Sequence, residues 1–323
     1  MYTHLLQSEI WEKYEKLEGK TTFRLTGDDF DCLVTESTTP FGNYLYLPYG
    51  PAILPDITTA KSALSHAFKA LYKLAKEQNA YFIRIEPTYA FTADSIASCA
   101  KSSGFKLVKK SKELDPEYTW VLDLDAPEEK ILKNMESRKV RYWRNYAKKG
   151  MSIRTTKNPE EITILTDFLK NLGEKDKFIP QTETHLKNQL KSGFATLYIV
   201  ELSEQDSAEN TPIAAALVYD YDGIRYYAHA ATDFGHRKLQ AGSILLIQMI
   251  LDAKANGQKT YDFWGITKSE DKNHPWYHFT QYKKSFGGRE VQYSGTFDLI
   301  LDPKKYHLYE LARKFNRFVR KAR

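Results

Sequence analysis

The sequence is most distinctive between residues 261 and 296, where large flat side chains are interrupted by glycines. Its aromatic residues are Tyr261, Phe263, Trp264, Trp276, Tyr277, Phe279, Tyr282, Phe286 and Tyr293, and its glycines are Gly265, Gly287, Gly288 and Gly295. Strand and turn signals predict a strand over 261–264, a polar loop through His274-Pro275, a helix over 277–286, a glycine turn and a strand from Glu290. Such a segment forms either a binding site or an aromatic core under a long loop.

Composition indicates a folded protein of two domains or of one large domain. The chain has 323 residues, of which 42% are hydrophobic and 14% aromatic, as is typical of packed cores. No apolar run reaches the roughly 18 residues that span a bilayer, and the N-terminus lacks a basic start followed by an apolar segment. Cys32 and Cys99 belong to no CxxC pair, which favours a reducing compartment and a packing role for both. We therefore expect a cytoplasmic protein.

Positive charge is concentrated in two segments of a chain whose formal net charge is +6. The first segment holds Lys130, Lys133, Arg138, Lys139, Arg141, Arg144, Lys148 and Lys149, and the second holds Arg313, Lys314, Arg317, Arg320, Lys321 and Arg323. Basic helices favour a polyanionic partner, either RNA phosphates or anionic lipid headgroups, with a solvated helix face as the alternative. The second segment has Leu308, Leu311, Phe315 and Phe318 on one side. Peripheral contact with the inner membrane face and packing on the first domain both stay open for it.

Strand and helix signals follow the same succession twice along the chain. In the first half they predict helices over 8–17, 59–78 and 95–102, and strands over 22–25, 32–36, 80–87 and 118–124. In the second half they predict helices over 125–150, 159–172, 182–191 and 241–255, and strands over 151–155, 195–201, 213–221, 223–230 and 261–264. Asp125, Pro127 and Glu128 predict a capping box at the start of the 125–150 helix, and Gly150 its end. The repeated succession indicates an acetyltransferase-like α/β fold in each half.

Four motifs occur in a fixed order in the aromatic segment. They are Tyr-Asp-Phe-x-Gly-Ile from Tyr261, His-Pro-Trp-Tyr-x-Phe from His274, Tyr-Lys-Lys-x-Phe-Gly-Gly from Tyr282 and Tyr-x-Gly-Thr-Phe-Asp-Leu from Tyr293. In content and order they resemble the C-terminal signature of the FemABX family. Members of that family are aminoacyl-tRNA-dependent transferases that build the peptide side branches of bacterial peptidoglycan.

The resemblance implies an α/β fold with mixed sheets, in which two acetyltransferase (GNAT)-like domains enclose a cleft. Domain 1 would comprise residues 1–124, completed by residues 296–323, and domain 2 would comprise residues 125–295. The stretch between residues 155 and 197 is too short for the coiled-coil arm of some members, so the chain resembles the armless, FemX-like subtype. The implied reaction moves an amino acid from aminoacyl-tRNA to the stem-peptide amine of UDP-MurNAc-pentapeptide or lipid II. It needs no cofactor beyond the charged tRNA, and we expect a monomer.

The same resemblance implies which residues are catalytic. Lys283 matches the position associated with the tRNA acceptor end and with the charge that develops on the ester carbonyl, and Tyr282 would stack on the terminal adenine. The acceptor amine must lose a proton before it attacks, because a lysine-like amine has a pKa of about 10.4. Tyr227 and His229 match two tyrosines of one strand that face the peptide pocket. His229 is either an acceptor of the amine proton or a hydrogen-bonded strand histidine.

Other implied residues lie on the acceptor side. Lys13 and Glu86 match residues that line the muramyl-peptide pocket of armless relatives. Ile179, Gln181 and His185 stand where such a relative binds the UDP-sugar with threonine, arginine and tyrosine. The missing arginine weakens the case for diphosphate recognition, which leaves lipid II or a differently bound nucleotide precursor as the acceptor.

Two further functional classes stay open. An acyl-CoA-dependent N-acyltransferase of the GNAT class needs a glycine-rich turn at a helix N-terminus, but residues 237–243 carry Gln240 where the first glycine belongs. A non-catalytic RNA- or membrane-binding protein would give Lys283 no catalytic role. We predict no metal site, because Pro275 interrupts the spacing of His274 and His278 and no third ligand is apparent.

Overall fold

The computed structural model describes residues 4–53, 60–88, 91–110, 114–203 and 210–322. The chain divides into two compact units, Met1–Glu117 with Gln292–Arg323, and Tyr118–Val291. Each unit contains one seven-stranded sheet, and the predicted α/β fold class with mixed sheets is confirmed. Across the described ranges, no helix is both long and apolar enough to cross a bilayer.

Both units consist of strands and helices that follow one another along the chain. The strands are β1 (Thr22–Thr26), β2 (Phe30–Thr39), β3 (Gly42–Leu47), β4 (Ala52–Ile53), β5 (Ala80–Ile85), β6 (Lys106–Lys109), β7 (Tyr118–Asp123), β8 (Met151–Thr156), β9 (Ala195–Leu202), β10 (Thr211–Tyr221), β11 (Ile224–Thr232), β12 (Thr260–Gly265), β13 (Arg289–Gln292) and β14 (Phe297–Ile300). The helices are α1 (Glu9–Leu17), α2 (Ala60–Glu77), α3 (Ala93–Ser102), α4 (Glu128–Lys133), α5 (Ser137–Arg144), α6 (Ile162–Asp176), α7 (Glu183–Lys191), α8 (Ala241–Ala255), α9 (Tyr277–Lys284) and α10 (Pro303–Ala322). Position 59, where the second helix was predicted to begin, lies outside the described residues.

The sheet of the first unit has the strand order β1-β2-β3-β5-β14-β6, and β4 pairs with β2. β3 and β5 run parallel, whereas β14 is antiparallel to both of its neighbours. Helix α2 buries Leu64, Phe68 and Leu71 completely against this sheet. Cys32 and Cys99 are buried in the same core. The C-terminal strand thus completes a sheet whose other strands come from the first third of the chain.

A buried ion pair fixes the register of β14. Asp298 lies opposite Arg84 on β5, and the guanidinium donates hydrogen bonds of 2.7 and 2.8 Å to the two carboxylate oxygens. The Tyr306 hydroxyl donates a further bond of 2.7 Å to Asp298. The side chains of Arg84 and Asp298 are 2% and 0% exposed. Because water reaches neither side chain, the Arg84 charge depends on Asp298, while Lys110 lies 3.7 Å from Asp298 as a second cation.

The sheet of the second unit has the strand order β13-β7-β12-β11-β10-β9-β8. β11 and β12 run parallel, and β12 is antiparallel to β7. Helices α6 and α7 connect β8 to β9. Helix α8 is apolar on all sides and buries Ile244, Leu246 and Ile250 completely, as expected of a core helix.

The boundary of the second unit differs from the prediction. We predicted that the strand over 118–124 closes domain 1, but β7 pairs with β12, with Leu122 opposite Tyr261. The second unit therefore begins at Tyr118. Strand signals reveal that a strand exists, but they do not reveal its partner.

The predicted long helix over 125–150 is also wrong. Its first part is α4, and α5 begins only at Ser137, because the Glu136 amide donates a 2.9 Å hydrogen bond to the Ser285 carbonyl instead of continuing the helix. Pro127 is the N-cap of α4 and no side chain that the structure describes caps that helix, so the predicted capping box does not form. Gly150 does follow the last turn, with a φ of 74°.

Asp298→Ala should destabilise the first unit strongly, because it leaves the Arg84 charge buried without its partner. Breaking a buried pair in this way costs about 3–5 kcal/mol of unfolding free energy, which urea unfolding followed by circular dichroism measures. The matched control is Asp123→Ala, which breaks a 3.4 Å pair with Arg289 whose side chains are 61% and 60% exposed. The control should cost less than about 1 kcal/mol. Equal losses in the two variants would contradict this interpretation.

Candidate active site

Lys283 lies in the last turn of α9 and is enclosed by the second unit. Its side-chain amine donates a 2.7 Å hydrogen bond to the carbonyl of Gly265, the last residue of β12. The same nitrogen lies 4.0 Å from the centroid of the Phe279 ring. Lys283 is 1% exposed. The amine therefore faces a carbonyl oxygen and an aromatic ring, both of which favour an ammonium group.

A bulge at the end of β12 carries this carbonyl. The register between β12 and β7 shifts between Asp262 and Gly265, and Trp264 in this interval has a φ of 64°. A left-handed conformation costs a bulky residue about 1–3 kcal/mol. The buried Asp262 carboxylate stabilises the bulge, because it accepts a 2.7 Å hydrogen bond from the Trp264 amide and another from the Thr119 hydroxyl.

Burial brings the pKa values of Lys283 and Asp262 towards each other. It lowers the pKa of Lys283 to about 7, although the Asp262 carboxylate acts in the opposite direction. It raises the pKa of Asp262 to about 6, against the hydrogen bonds from Thr119 and Trp264 and the charge of Lys283. At neutral pH Lys283 is therefore present in both protonation states. It can carry a positive charge or exchange a proton, unlike a surface lysine with a pKa of about 10.4.

Two cavities of the second unit share Thr232, Gly242 and Tyr282 in their walls. The first has a volume of about 290 Å³, and Tyr227 and Phe279 line it together with mostly apolar side chains. The second has a volume of about 270 Å³ and lies at the N-terminus of α8, where its wall is more polar. Tyr282 thus stands between an apolar space and a polar one.

The two tyrosines of the apolar cavity are neutral phenols. Burial raises the pKa of Tyr282 to about 12, and a hydrogen bond with Ser243 offsets part of this shift. Burial also raises the pKa of Tyr227 well above its ordinary value, and Tyr282 adds to the effect. The Tyr282 ring packs edge-on against Phe286, with 5.1 Å between the centroids. Both hydroxyls can therefore donate or accept hydrogen bonds at physiological pH.

The turn before α8 keeps a left-handed residue although the glycine is missing. Gln240 has a φ of 59° and precedes the first residue of the helix. Its side-chain amide donates a 3.1 Å hydrogen bond to the Arg237 carbonyl. A helix N-terminus favours negative charge, and the Arg237 side chain in the cavity wall adds to this, whereas the Asp233 carboxylate there pairs with His236 at 2.5 Å. The polar cavity is suited to an anionic group.

Tyr227 and His229 were expected to face one pocket, but they lie on opposite faces of the sheet. Tyr227 pairs with Val218 and His229 with Leu217, because a β-bulge in β11 opposite these two residues leaves Ala228 without a partner on β10. Tyr227 belongs to the core under α8 and lines the apolar cavity. His229 instead lies 6.4 Å from Tyr219, measured between ring centroids. The extra residue reverses the alternation that the sequence predicted.

His229 and His185 lie close enough to influence each other. Burial lowers the pKa of His229 to about 4, and a positive charge on His185 lowers it further. His185 is in the first turn of α7, where its amide donates a 3.3 Å hydrogen bond to the Thr182 hydroxyl. Gln181 is exposed just before that helix. Gln181 and His185 thus lie at the same helix start, and their role in acceptor binding stays a prediction.

The match to a family model identifies the group of proteins to which this chain belongs. The model described as the FemAB family matches residues 1–192 and 180–314. The chain belongs to the FemAB family. The resemblance seen in its four motifs is thereby confirmed.

Individual relatives of this FemAB-family protein are similar along most of its length. The Lipid II:glycine glycyltransferase of Staphylococcus epidermidis is 20% identical and covers 95% of this chain and 90% of its own. The protein of the same name from Staphylococcus haemolyticus is 22% identical over 77% of this chain and 76% of its own. Among solved structures, FemX matches with a TM-score of 0.82 at 20% identity and covers 94% of both chains. L-PGS from Bacillus licheniformis matches with a TM-score of 0.56 at 10% identity, covering 98% and 99%. The two structures show a shared fold.

In the first unit of the FemAB-family protein, Lys13 and Glu86 have different environments. Lys13 is exposed on α1. Glu86 is 3% exposed and accepts hydrogen bonds from the Tyr46 hydroxyl at 2.5 Å, the Thr296 hydroxyl at 2.6 Å and the Leu114 amide at 3.1 Å. Both carboxylate oxygens are therefore engaged, and Glu86 ties β3 to the residue before β14. A part in substrate binding stays a prediction for both residues.

A cationic surface adjoins the site. The Lys139 amine on α5, which pairs with Glu136 at 2.5 Å, lies 5.5 Å from the centroid of the Tyr282 ring and 5.3 Å from that of Phe286. The neighbouring cations Lys130, Lys133, Arg141, Arg144 and Lys148 are exposed and form no ion pair with any residue that the structure describes. A groove of about 530 Å³ between α4 and α5 has three of them, Lys133, Arg141 and Arg144, and one acid, Glu129, in its wall. A surface on which positive charge exceeds negative charge favours the binding of a polyanion.

Sequence reasoning missed the contribution of Asp262 and Thr119. Asp262 is the single acid in the otherwise apolar and aromatic strand Thr260–Gly265, which is a signal for a buried polar group. Its partner Thr119 lies on a different strand, and nothing in the sequence connects the two. Within the described ranges, no group of three His, Cys, Asp or Glu side chains could hold a metal ion.

His229 should stay neutral down to about pH 5, because burial lowers its pKa to about 4. Two-dimensional ¹⁵N–¹H spectra of the imidazole nitrogens measure this titration, and His229→Gln identifies the resonances. A neutral ring can accept a proton at physiological pH. A titration near the ordinary value of 6.5 would show that the ring is solvated and would contradict this assignment.

Proposed function

We propose that this protein is an aminoacyltransferase that moves an amino acid from aminoacyl-tRNA to the stem-peptide amine of a peptidoglycan precursor. The observation that carries the proposal is the likeness, over 95% of the chain, to proteins named Lipid II:glycine glycyltransferase. The site geometry supports it, because Lys283 lies behind Phe279, which lines the apolar cavity. A lysine with a pKa near neutrality beside an aromatic cavity is suited to acyl transfer.

In the proposed reaction the acceptor amine attacks the carbonyl carbon of the ester that links the amino acid to the terminal ribose. A carbon–nitrogen bond forms, and the bond between that carbon and the ribose oxygen breaks. The nitrogen loses a proton, and the departing ribose oxygen gains one. Because an ester is more reactive than an amide, positioning and stabilisation of the negative charge on the carbonyl oxygen are sufficient. The charged tRNA is then the only co-substrate, and no cofactor is needed.

Lys283 is the residue to which we assign the stabilising charge. In the structure its amine is bonded to the Gly265 carbonyl and hidden from water. The ammonium has two N–H donors beyond the one bonded to Gly265, so direct contact with the ester oxygen requires only that the side chains covering the amine move when substrate binds. Without such a movement, the ammonium still acts through space, and more strongly than in water because its surroundings are apolar. Tyr227, which lines the same cavity as Phe279, is assigned to the acceptor peptide.

The donor end of the site is suited to RNA. Tyr282 offers an aromatic face next to the polar cavity, where the terminal adenine would stack. The cationic surface of α4 and α5 begins beside it, at Lys139. Exposed cations without acidic partners bind phosphates by releasing counterions. These features support tRNA as the donor. A cytoplasmic location follows from the proposal, because charged tRNA is a cytoplasmic molecule.

Two acceptors are compatible with the proposal. The relatives are named for lipid II, whereas Gln181 and His185 occupy the positions that the resemblance assigned to a UDP-sugar. Neither residue supplies the permanent positive charge that a diphosphate favours. We therefore propose lipid II as the preferred acceptor and include UDP-MurNAc-pentapeptide in the test.

The function is tested with purified protein, a pool of charged tRNAs and either lipid II or UDP-MurNAc-pentapeptide. Mass spectrometry should detect a precursor heavier by one aminoacyl residue, and RNase treatment should abolish it. Lys283→Met should reduce the single-turnover rate about 100- to 1,000-fold, the usual effect of removing one stabilising group. The matched control is Lys284→Met, since Lys284 lies 5.3 Å from the Trp120 ring and not at Gly265. It should change the rate less than about threefold.

The pH profile distinguishes two roles of Lys283. If its protonated form stabilises charge, the rate rises tenfold per pH unit below about 7, because the acceptor amine loses its proton, and levels off above that pH. If neutral Lys283 is a general base, the rate rises a hundredfold per unit below that value and tenfold above it. Full activity of Lys283→Met, with circular dichroism unchanged, would contradict a catalytic role of either kind.

One observation favours a second enzymatic function. The left-handed turn at Gln240 and the anion-favouring cavity next to it are features that an acyl-CoA pyrophosphate would also use. An acyl-CoA-dependent N-acyltransferase would consume acetyl-CoA in the presence of an amine acceptor and would be insensitive to RNase. Turnover of that kind without RNA would replace the proposed function by this one.

A further inference from the structure

Helix α10 is attached to the first unit by one side. Tyr306 and Tyr309 pack on the sheet, where both ring centroids lie 5.3 Å from that of Phe82. The Lys110 amine forms a 2.8 Å ion pair with Glu310 on the same side of the helix. The opposite side of α10 is therefore exposed to solvent.

That opposite side carries an apolar stripe. Leu308, Leu311 and Phe315 are 51%, 49% and 67% exposed. They are spaced three and four residues apart, which places them on one face of a helix. Leucine and phenylalanine exposed to this degree on one stripe mark a surface that binds something apolar. Phe318, which continues the spacing, lies outside the residues whose side chains the structure describes.

Cations accompany the stripe. Lys304 and Lys314 are exposed on α10 and form no ion pair with any described residue, whereas the Lys305 amine lies on the sheet side, 4.0 Å from where a Cβ atom on Gly42 would stand. Glu310 is the one acid in the helix sequence, and it is engaged with Lys110 and Arg313 on the packed side. The exposed side of the described helix therefore combines apolar side chains with positive charge and offers no negative charge.

We propose that α10 is an interfacial helix that binds the surface of an anionic lipid bilayer. Leu308, Leu311 and Phe315 would enter the boundary between headgroups and acyl chains, and the lysines would contact lipid phosphates. An apolar stripe flanked by lysines is the pattern by which amphipathic helices lie on anionic membranes. A second copy of the chain fits less well, because two such faces would bring lysines against lysines. The inference rests on α10 alone and is independent of the proposed aminoacyl transfer.

Co-sedimentation of the full-length protein with large unilamellar vesicles tests the proposal. The protein should bind vesicles that contain phosphatidylglycerol, and bind pure phosphatidylcholine vesicles at least about tenfold more weakly. The variant Leu308→Ser/Leu311→Ser/Phe315→Ser should lose at least about tenfold in affinity. The variant Lys304→Gln/Lys314→Gln should lose about 30-fold in affinity for anionic vesicles. The matched control is Leu17→Ser on α1, where Leu17 is 54% exposed, and it should bind as the wild type does.

Three results would overturn the proposal. The first is no binding to anionic vesicles at low salt, and the second is equal binding by the wild type and the triple serine variant. The third is a dimer, detected by light scattering, that the triple serine variant abolishes, since a second copy would then cover the stripe. The lysine variant keeps the test decisive if the serine variant fails to fold, because its substitutions lie at exposed positions that tolerate change.

Discussion

The hydrogen bond between the Lys283 amine and the Gly265 carbonyl is the interaction on which the site depends. An ammonium group buried without partners costs several kcal/mol. Three features of the second unit reduce this cost: the hydrogen bond to the Gly265 carbonyl, the adjacent Phe279 ring, and a pKa of about 7, at which part of the amine is neutral. The bond joins α9 to the end of β12. A shift of the helix would therefore also change the surroundings that set the pKa of Lys283.

The glycine turn after α9 explains how the aromatic segment reaches the sheet. The Trp120 indole donates a 2.6 Å hydrogen bond to the Gly287 carbonyl. A Cβ atom on Gly288 would lie 2.3 Å from the Val121 carbonyl oxygen, so no other residue fits there without displacement of β7. The same approach brings the Ser285 carbonyl to the Glu136 amide, where it separates α4 from α5. One close contact thus shapes both the site and the cationic surface beside it.

Secondary-structure predictions from the sequence are most accurate for elements whose local pattern agrees with their tertiary surroundings. The strand at Tyr261, helix α8 and the turn at Gly150 were all predicted from apolar spacing and glycine signals. The family resemblance was identified from the four motifs of the aromatic segment that begins at Tyr261. Relationships that depend on strand pairing were not predictable. An example is β7, whose partner β12 comes more than a hundred residues later in the chain.

His229 shows how a small irregularity changes a site prediction. Strict alternation along β11 would place His229 beside Tyr227, but a bulge opposite Leu217 and Val218 moves the histidine to the other face. No residue type in that strand signals a bulge. The Asp262–Thr119 contact was likewise hidden, because its partners come from two strands. The sequence therefore predicted which segment contains the candidate site, with Tyr282 and Lys283 in it, but not how the side chains of that site are arranged in space.

The role of the Lys283–Gly265 bond in the site is tested most directly by the pKa of the Lys283 amine, measured by NMR titration of the lysine Cε and Nζ resonances with Lys283→Arg for assignment. We predict a value of about 7. We also predict a lower value in Asp262→Asn, because the Asp262 carboxylate raises the pKa. A pKa near the ordinary 10.5, unaffected by Asp262→Asn, would show that the amine is solvated and not enclosed beside Asp262 and Phe279.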